Sequence, residues 1–245
     1  MKKKCLIVLA TVATMVIGLG SFASVQGSEI VASVPGNTVV KDSEGDLLLR
    51  NCNSDYPDIP CSLPPGTSLD LPGYFDIKKA KITQIGRGRV DLSIALYEPI
   101  PAEPPYPFAN YYWQFEGGCV EPAPGNKSAI SIVWRDWGGG TMEWRANWLE
   151  ITNCNPRTII TGDPVPFEFT EDGVKVRVAL DDLLTATDPG EPLIWHAGVR
   201  RMPFTHPVFN TVGVDYAPDV IEFNPFSPIP PYFIYPEEPA TWEPR

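Results

Sequence analysis

Acidic residues are concentrated at two places in the chain, where their spacing suits a hard cation such as calcium. One group consists of Asp42, Glu44 and Asp46, and the other of Asp215 and Asp219. The first group sets carboxylates at alternate positions of one turn, so several oxygens can face a cation that takes roughly six to eight oxygen ligands. Because the ends of a domain often lie close together, the two groups are expected to meet. The sequence therefore predicts a calcium site that joins the terminal strands; two solvated turns are the alternative, since Asp and Gly are ordinary turn residues.

Tryptophans in the middle of the chain are candidates for a platform on which a sugar ring stacks. They are Trp134, Trp137, Trp144 and Trp148. In a predicted strand, Trp144 and Trp148 share one face, whereas Glu143, Arg145 and Asn147 share the other. Trp137 precedes the triple glycine Gly138–Gly140, which predicts a loop and an exposed ring. The alternative is that all of these tryptophans except Trp137 fill the core of the domain.

Catalytic residues are harder to recognise in this sequence. A glycosidase needs two carboxyl groups that lie roughly 5 to 9 Å apart, and Asp136, Glu143 and Glu150 could take such roles. The sequence contains no Gly-x-Ser-x-Gly turn, no His-Glu-x-x-His helix and no phosphate-binding loop, and His196 and His206 have no evident partners. A secreted glycoside-active enzyme is therefore the less favoured hypothesis, and we expect a protein that is not an enzyme.

The N-terminus has the three parts of a secretory signal peptide. A basic start, Lys2–Lys4, is followed by the uncharged apolar run Cys5–Leu19 and by small residues up to Ala23. The apolar run has about 15 residues, fewer than the roughly 20 that span a bilayer. We expect cleavage after Ala23, with Gly27 as a second choice, and a product without a membrane span that is secreted, attached to the cell surface or periplasmic.

The charge of the mature chain restricts its partners. Loss of the three signal-peptide lysines changes the formal net charge from −11 to about −14. Such a chain repels phosphate backbones, so nucleic acid is not expected as a partner. Export also removes cytosolic cofactors such as nucleotides. Carbohydrate or another cell-surface component is compatible with this charge.

Four cysteines remain after the signal peptide, and an oxidising compartment favours disulfide bonds between them. We expect Cys52 to pair with Cys61 and Cys119 with Cys154. The first pair would close a short loop rich in proline and asparagine, and the second would join two strand ends. A zinc site is the alternative, but the sequence has no Cys-x-x-Cys pair.

The elements that must position these residues are short strands. Apolar residues alternate from Val90 to Leu96, a glycine-flanked turn at 86–88 predicts a hairpin with the preceding strand, and the slip in alternation at Lys78–Lys79 predicts a β-bulge. A second hairpin turn is predicted at 171–173, and one short helical turn at Leu180–Thr185. Further strands are predicted at Asn110–Phe115, Ala129–Arg135, Thr141–Ile151, Thr158–Thr161, Val165–Thr170, Val174–Leu180 and Leu193–Met202.

This pattern predicts an all-β protein with one antiparallel β-sandwich, of the immunoglobulin-like or jelly-roll-like kind. The predicted organisation is a signal peptide at 1–23, an N-terminal linker at 24–39, the sandwich at 40–223 and a proline-rich tail at 224–245. The tail shows no period, so it is predicted to be either an extended strap or a disordered end.

Several of these runs resemble exported DOMON-like domains, a group that includes the family 9 carbohydrate-binding modules. The resemblance covers about residues 40–222 and rests on the runs Asp42–Asp46, Gly73–Ile77, Pro166–Phe169, Asp172–Val176 and Ala179–Leu184. It implies a non-catalytic sandwich that binds sugar or haem, in some cases with structural calcium. Haem-binding members use axial methionine or histidine, and the candidates here would be His196, Met142 and Met202. We expect no haem, because a hydrogen-bonded strand histidine explains His196.

Together these observations predict a secreted, non-catalytic binding module. Carbohydrate is the leading ligand, and calcium is a structural cofactor. The alternative is an extracellular or cell-surface interaction protein without a small-molecule ligand.

Overall fold

Thirteen strands, one short α-helix and one turn of 3-10 helix (Gly73–Phe75) are the regular elements in the part of the chain that the structure describes. The computed structural model describes residues 28–45, 72–105, 108–116, 126–154, 157–201, 214–217 and 240–245. The elements are β1 (Glu29–Val34), β2 (Asn37–Lys41), β3 (Ile77–Ile85), β4 (Arg89–Leu96), β5 (Ala109–Glu116), β6 (Asn126–Asp136), β7 (Met142–Cys154), β8 (Arg157–Pro164), β9 (Phe167–Thr170), β10 (Gly173–Ala179), α1 (Leu180–Leu184), β11 (Leu193–Arg201), β12 (Val214–Ala217) and β13 (Ala240–Trp242).

The strands form two antiparallel sheets that pack face to face, which confirms the predicted all-β sandwich. The first sheet has the order β1-β2-β3-β4-β10-β9, and the second has the order β12-β11-β5-β6-β7-β8. Strand β13 pairs with β11 beside β12, so both short strands lie along one edge of β11. Apolar side chains from both sheets belong to a single buried cluster.

Local sequence signals account for the centre of the first sheet. Strands β3 and β4 form the expected hairpin, and their register shifts between Ile77 and Lys79, where the bulge was predicted. The shift returns Ala80 and Ile82 to the inward face, and both are fully buried. Alternation in β4 likewise buries Leu92 and its apolar neighbours on the same face. The predicted turn between β9 and β10 and the short helix α1 are also present.

Aromatic side chains fill much of the space between the sheets. The largest fully buried side chains include Trp113, Trp195, Trp242, Tyr111 and Phe115, all of which come from the second sheet. Truncation of a buried tryptophan to alanine typically costs about 3 to 5 kcal/mol, because it removes apolar contact and leaves a cavity. These residues therefore stabilise the sandwich and are not available to a ligand.

The segment before residue 40 is not only a linker. Strands β1 and β2 form a hairpin whose second strand pairs with β3, so residues 29–41 extend the first sheet. Thr38 and Val40 point inward and are fully buried, whereas β1 is almost entirely exposed. Two inward side chains, one of them polar, give too weak an alternation to be recognised as a strand, and this explains the missed prediction.

The C-terminal residues 240–245 form hydrogen bonds with both sheets. Strand β13 pairs with β11 of the second sheet, and Trp242 is 1% exposed. On the other side, the Thr38 hydroxyl donates to the Thr241 carbonyl at 2.5 Å, and the Gly36 N–H donates to the Glu243 carbonyl at 2.6 Å. The end of the tail is thus extended and bound, while residues 224–239 lie outside the described residues.

Candidate functional site

The second sheet divides the predicted platform tryptophans between its two faces. Trp134 and Trp148 point into the sandwich and are 7% and 4% exposed. Rings buried to that extent offer no face to a sugar, so these two residues belong to the core rather than to a platform. Their inward position follows from strand alternation, which also makes Arg135 and Asn147 point outward.

Trp144 lies at the rim of the core and is partly buried. Its ring centroid is 5.5 Å from that of Trp134 and 5.2 Å from that of Phe169. Its indole Nε1 donates to the Ala102 carbonyl at 3.3 Å. Trp144 therefore packs against aromatic neighbours from both sheets and belongs to the rim of the core.

Trp137 lies on the outward side of the second sheet, at the β6–β7 turn. It is partly buried, and its indole Nε1 donates to the Glu143 carbonyl at 3.1 Å. The guanidinium carbons of Arg135 and Arg145 lie 3.9 and 4.9 Å from the centroid of its ring. Arg145 also forms an ion pair with the Glu143 carboxylate. These contacts fix the ring in one orientation before any ligand arrives.

The loop after Trp137 is held by the carboxylate of Asp136. Its Oδ1 accepts backbone N–H groups of Gly138, Gly139 and Gly140 at 2.8, 3.0 and 3.1 Å. Hydrogen bonding, first of all from Gly138, lowers the pKa of Asp136. The φ angles of Gly138 and Gly140 are 101° and 71°, a region that side chains rarely adopt, which explains why glycine stands at both positions.

Outward side chains of four neighbouring strands continue the surface from Trp137. In register, Arg135 faces Glu143, Val133 lies between Asn110 and Arg145, and Asn110 also faces Arg200. The Ser131 hydroxyl donates to Asn110 Oδ1 at 2.7 Å. We call this surface the outer-face patch and define it by Asn110, Ser131, Arg135, Trp137, Glu143, Arg145, Asn147 and Arg200. Its side chains combine one aromatic ring with planar hydrogen-bonding groups.

Tyr112, His196 and Tyr216 form an aromatic group beyond the far end of the patch. The three rings meet edge to face, with centroids 5.8 to 6.4 Å apart, and all three side chains are buried. His196 is on the outward face of β11, whereas Met142 packs against the core. The two residues lie on opposite faces of one sheet and cannot both ligate one haem. Met202 lies outside the described residues.

The two acidic regions contact consecutive residues at the start of β3. The Gly45 N–H, in the turn that follows Asp42, donates to Asp76 Oδ2 at 2.7 Å. From the other region, the Asp215 carboxylate accepts the Ile77 N–H, and also the Tyr216 N–H at 2.8 Å. Asp42, Asp76 and Asp215 are 8%, 4% and 2% exposed. We call these three residues the carboxylate junction.

Asp76 was not predicted as a site residue, although it stands in the Gly73–Ile77 run. Burial is the main cause that raises its pKa to about 6, the Gly45 hydrogen bond acts in the opposite direction, and nearby Glu44 raises it further. Its Oδ1 is buried and has no hydrogen-bond partner among the described residues. A single aspartate ahead of an alternating strand carries no signal of this burial.

The described residues do not on their own complete the predicted calcium site. Among them, no group of three or more histidine, cysteine or acidic side chains is arranged to hold a metal ion. Two of the predicted ligands, Asp46 and Asp219, lie outside the described residues, and so do Cys52, Cys61 and Cys119. Cys154 ends β7. The calcium site and both disulfide bonds stay predictions.

Comparisons with known proteins identify no relative for this chain. No family model, no curated protein and no solved structure matches it. In the described part of the chain, no helix has the length and apolar character that a membrane crossing needs.

Proposed function

We propose that this protein is a secreted, non-catalytic binding module of the DOMON-like kind, and that it binds carbohydrate at the outer-face patch. The observation that carries the proposal is the fixed position of Trp137, which hydrogen bonds to Glu143 and lies against two guanidinium groups. Sugar binding needs an aromatic ring that is already oriented, because immobilising it on binding would cost free energy. The outer-face patch supplies such a ring.

The planar side chains beside Trp137 support the same function. Asn110, Asn147 and the arginines carry several donors and acceptors at fixed positions on neighbouring strands. Hydroxyl groups of a sugar need donors and acceptors at their edges while the apolar face of the ring stacks on indole. A sheet surface holds such groups more rigidly than a mobile loop.

Retention on insoluble polysaccharides tests the proposal. Wild-type protein is expected to be retained on at least one polymer, and Trp137→Ala is expected to lower its affinity about tenfold or more, since stacking on one ring contributes on the order of 1 to 3 kcal/mol. Phe169→Ala is the matched control, because Phe169 is an aromatic residue 40% exposed on the other sheet. The proposal would be contradicted if no polymer retains the wild-type protein, or if both variants lose affinity equally.

Calcium belongs to this proposal as a structural cofactor near the carboxylate junction. The contacts of the two acidic regions with Asp76 and Ile77 support it, because they bring the predicted N- and C-terminal ligands toward one place. An ion that binds only the native state must raise its stability. Millimolar calcium is therefore expected to raise Tm and EDTA to lower it, and a Tm that neither treatment moves would remove calcium from the proposal.

The alternative, a cell-surface interaction protein, is favoured by one observation. Among the described strands, β1 lies at the edge of the first sheet, and its apolar residues Ile30, Val31 and Val34 are 36%, 38% and 57% exposed. An exposed apolar edge can pair with a strand of another chain. This function would be favoured if no polysaccharide retains the protein and if it forms a stable complex with another protein chain that Val31→Lys abolishes.

A further inference from the structure

We propose that the ligand of the outer-face patch is an acidic glycan, and that the patch binds the carboxylate of a uronic acid residue. The inference rests on the proposed function and names the class of its ligand. Trp137 stacks on the sugar ring, while the arginines beside it bind the carboxylate. Charge, ion pairing and geometry each support this assignment.

The charge of the patch is opposite to that of the whole chain. The chain has 30 acidic and 19 basic residues and a formal net charge of −11. Within the patch, by contrast, Arg135, Arg145 and Arg200 stand against the single acidic residue Glu143. The neighbouring Asp136 directs its carboxylate Oδ1 to loop N–H groups. A local excess of guanidinium groups on an acidic protein indicates an anionic ligand, because cations otherwise lie beside the plentiful carboxylates.

Two of these arginines have no acidic partner in the described part of the chain. The four ion pairs among described residues involve Lys127, Arg145, Lys175 and Arg177, but neither Arg135 nor Arg200. Arg200 instead lies against Tyr112, to whose hydroxyl its Nε donates at 3.1 Å. Arg135 is exposed and stacks on Trp137. Arg200 also hydrogen bonds to Tyr216, so its donors are partly used. Arg135, which is exposed and has no carboxylate partner among the described residues, retains its capacity for a bidentate carboxylate bond.

The stacking of Arg135 on Trp137 leaves that capacity available. The guanidinium carbon of Arg135 lies 3.9 Å from the centroid of the indole ring, and the side chain is exposed, so solvent and a ligand can reach its N–H groups. A pyranose that packs against the part of the indole left exposed presents its substituents at the ring edge, beside these arginines. A carboxylate at that edge can meet Arg135, which has no acidic partner among the described residues, or compete with Glu143 for Arg145. A neutral sugar offers Arg135 no opposite charge.

The same geometry disfavours other anions. Nucleic acid carries a long row of phosphates, which the acidic remainder of the protein repels. At physiological salt, charges farther away than about 8 Å are largely screened. The charges that act on a short uronide are therefore mainly those of the patch. An acidic peptide has carboxylates but no apolar ring face to stack on Trp137. Trp137 and the arginines together therefore favour an acidic glycan over nucleic acid and over an acidic peptide.

Calorimetry with short soluble sugars tests the inference. The probes are trimers of galacturonic acid and of mannuronic acid, each compared with the trimer of its neutral parent sugar. At least one acidic trimer is expected to bind about tenfold tighter than its parent, since a charge-assisted hydrogen bond has roughly twice the strength of a neutral one. Trp137→Ala should weaken binding of the acidic trimer. A trimer of glutamic acid is expected not to bind.

Arginine variants separate the contribution of the patch from that of overall charge. Arg135→Gln is expected to reduce the preference for the acidic trimer about fivefold to tenfold. Arg177→Gln removes the same charge from the first sheet, where Arg177 pairs with Asp91, and is expected to leave the preference unchanged. A preference that falls equally in both variants would contradict a local site.

The outcomes distinguish the inference from the proposed function. If neutral and acidic trimers bind equally and Trp137→Ala abolishes both, the inference is wrong and the carbohydrate function stands. If the glutamic acid trimer binds as tightly as the uronides, the patch recognises charge alone and the inference is wrong. If no trimer binds and no polysaccharide retains the protein, both the inference and the proposed function fall.

Discussion

The carboxylate junction and the outer-face patch both concentrate charged side chains, but they use them in opposite ways. Asp76 and Asp215 are buried, and their oxygens accept backbone N–H groups of the surrounding segments. In the patch, Arg135 and Arg145 are exposed and lie against an indole ring. If a buried carboxylate that accepts backbone N–H groups is removed, those N–H groups are left without an acceptor. An exposed guanidinium can change its partner at little cost.

Charges in the junction therefore maintain the fold, whereas charges in the patch are available to a ligand. Substitutions in the junction are expected to change stability and leave binding to the folded protein intact. Substitutions in the patch are expected to change ligand binding and leave stability nearly unchanged.

The largest effect is expected from Asp215→Ala. The change leaves the Ile77 N–H buried without its acceptor, which costs on the order of 2 to 4 kcal/mol for a hydrogen bond to a charged group. For a chain of this size the loss corresponds to a fall in Tm of roughly 5 to 15 °C, measured by calorimetry. Asp215→Asn keeps one acceptor oxygen and should lose less. An unchanged Tm in Asp215→Ala would show that the junction does not maintain the fold.

The next effect is a pH dependence that comes from Asp76. Its pKa of about 6 in the folded protein lies above the unfolded value of 3.8, so the native state holds the proton more tightly. The stability that comes from this tighter proton binding is fully present below about pH 4 and is lost as the pH rises through 6. Its upper limit is about 3 kcal/mol, because one pKa unit corresponds to about 1.4 kcal/mol.

Denaturation in EDTA at several pH values measures this contribution. Asp76→Asn cannot titrate but keeps an acceptor for the Gly45 N–H, so the variant is expected to be the more stable protein above pH 7 and to lose this advantage toward pH 4. Parallel stability curves of the two proteins across this range would contradict the shifted pKa.

The smallest effect is expected in the patch itself. Trp137→Ala and Arg135→Gln change exposed or partly buried side chains outside the core, so each is expected to alter the free energy of unfolding by about 1 kcal/mol or less. Urea denaturation compares them with Asp215→Ala. A loss as large as that of the junction variant would mean that Trp137 maintains the fold, and the contrast between the two regions would disappear.

Much of the fold could be predicted from local patterns. The β3–β4 hairpin has strict alternation, and its bulge at Lys78–Lys79 follows from the slip in that alternation. Strands β12 and β13 could not be predicted, because each has only three or four residues and forms through pairing with β11, a contact between distant parts of the chain. Long-range pairing leaves no periodic trace in so short a segment.

The candidate site was predictable in part for the same reason. Strand alternation separated Arg145 and Asn147 from Trp144, and the triple glycine marked the turn that carries Trp137. Alternation does not say which face is buried, so Trp134 and Trp148 could be assigned to the platform although they fill the core. The stacking of Arg135 on Trp137 and the burial of Asp76 depend on tertiary contacts.

Nitrogen-15 NMR of the tryptophan indoles tests whether Trp137 and the neighbouring arginines bind the glycan. The protein is titrated with the galacturonic acid trimer and, separately, with the galactose trimer. We predict that the acidic trimer shifts the indole N–H signal of Trp137 together with the Nε–H signals of Arg135 and Arg145, while the indole signals of the buried Trp113, Trp195 and Trp242 stay in place. Shifts confined to other regions, or a Trp137 signal that neither trimer moves, would contradict it.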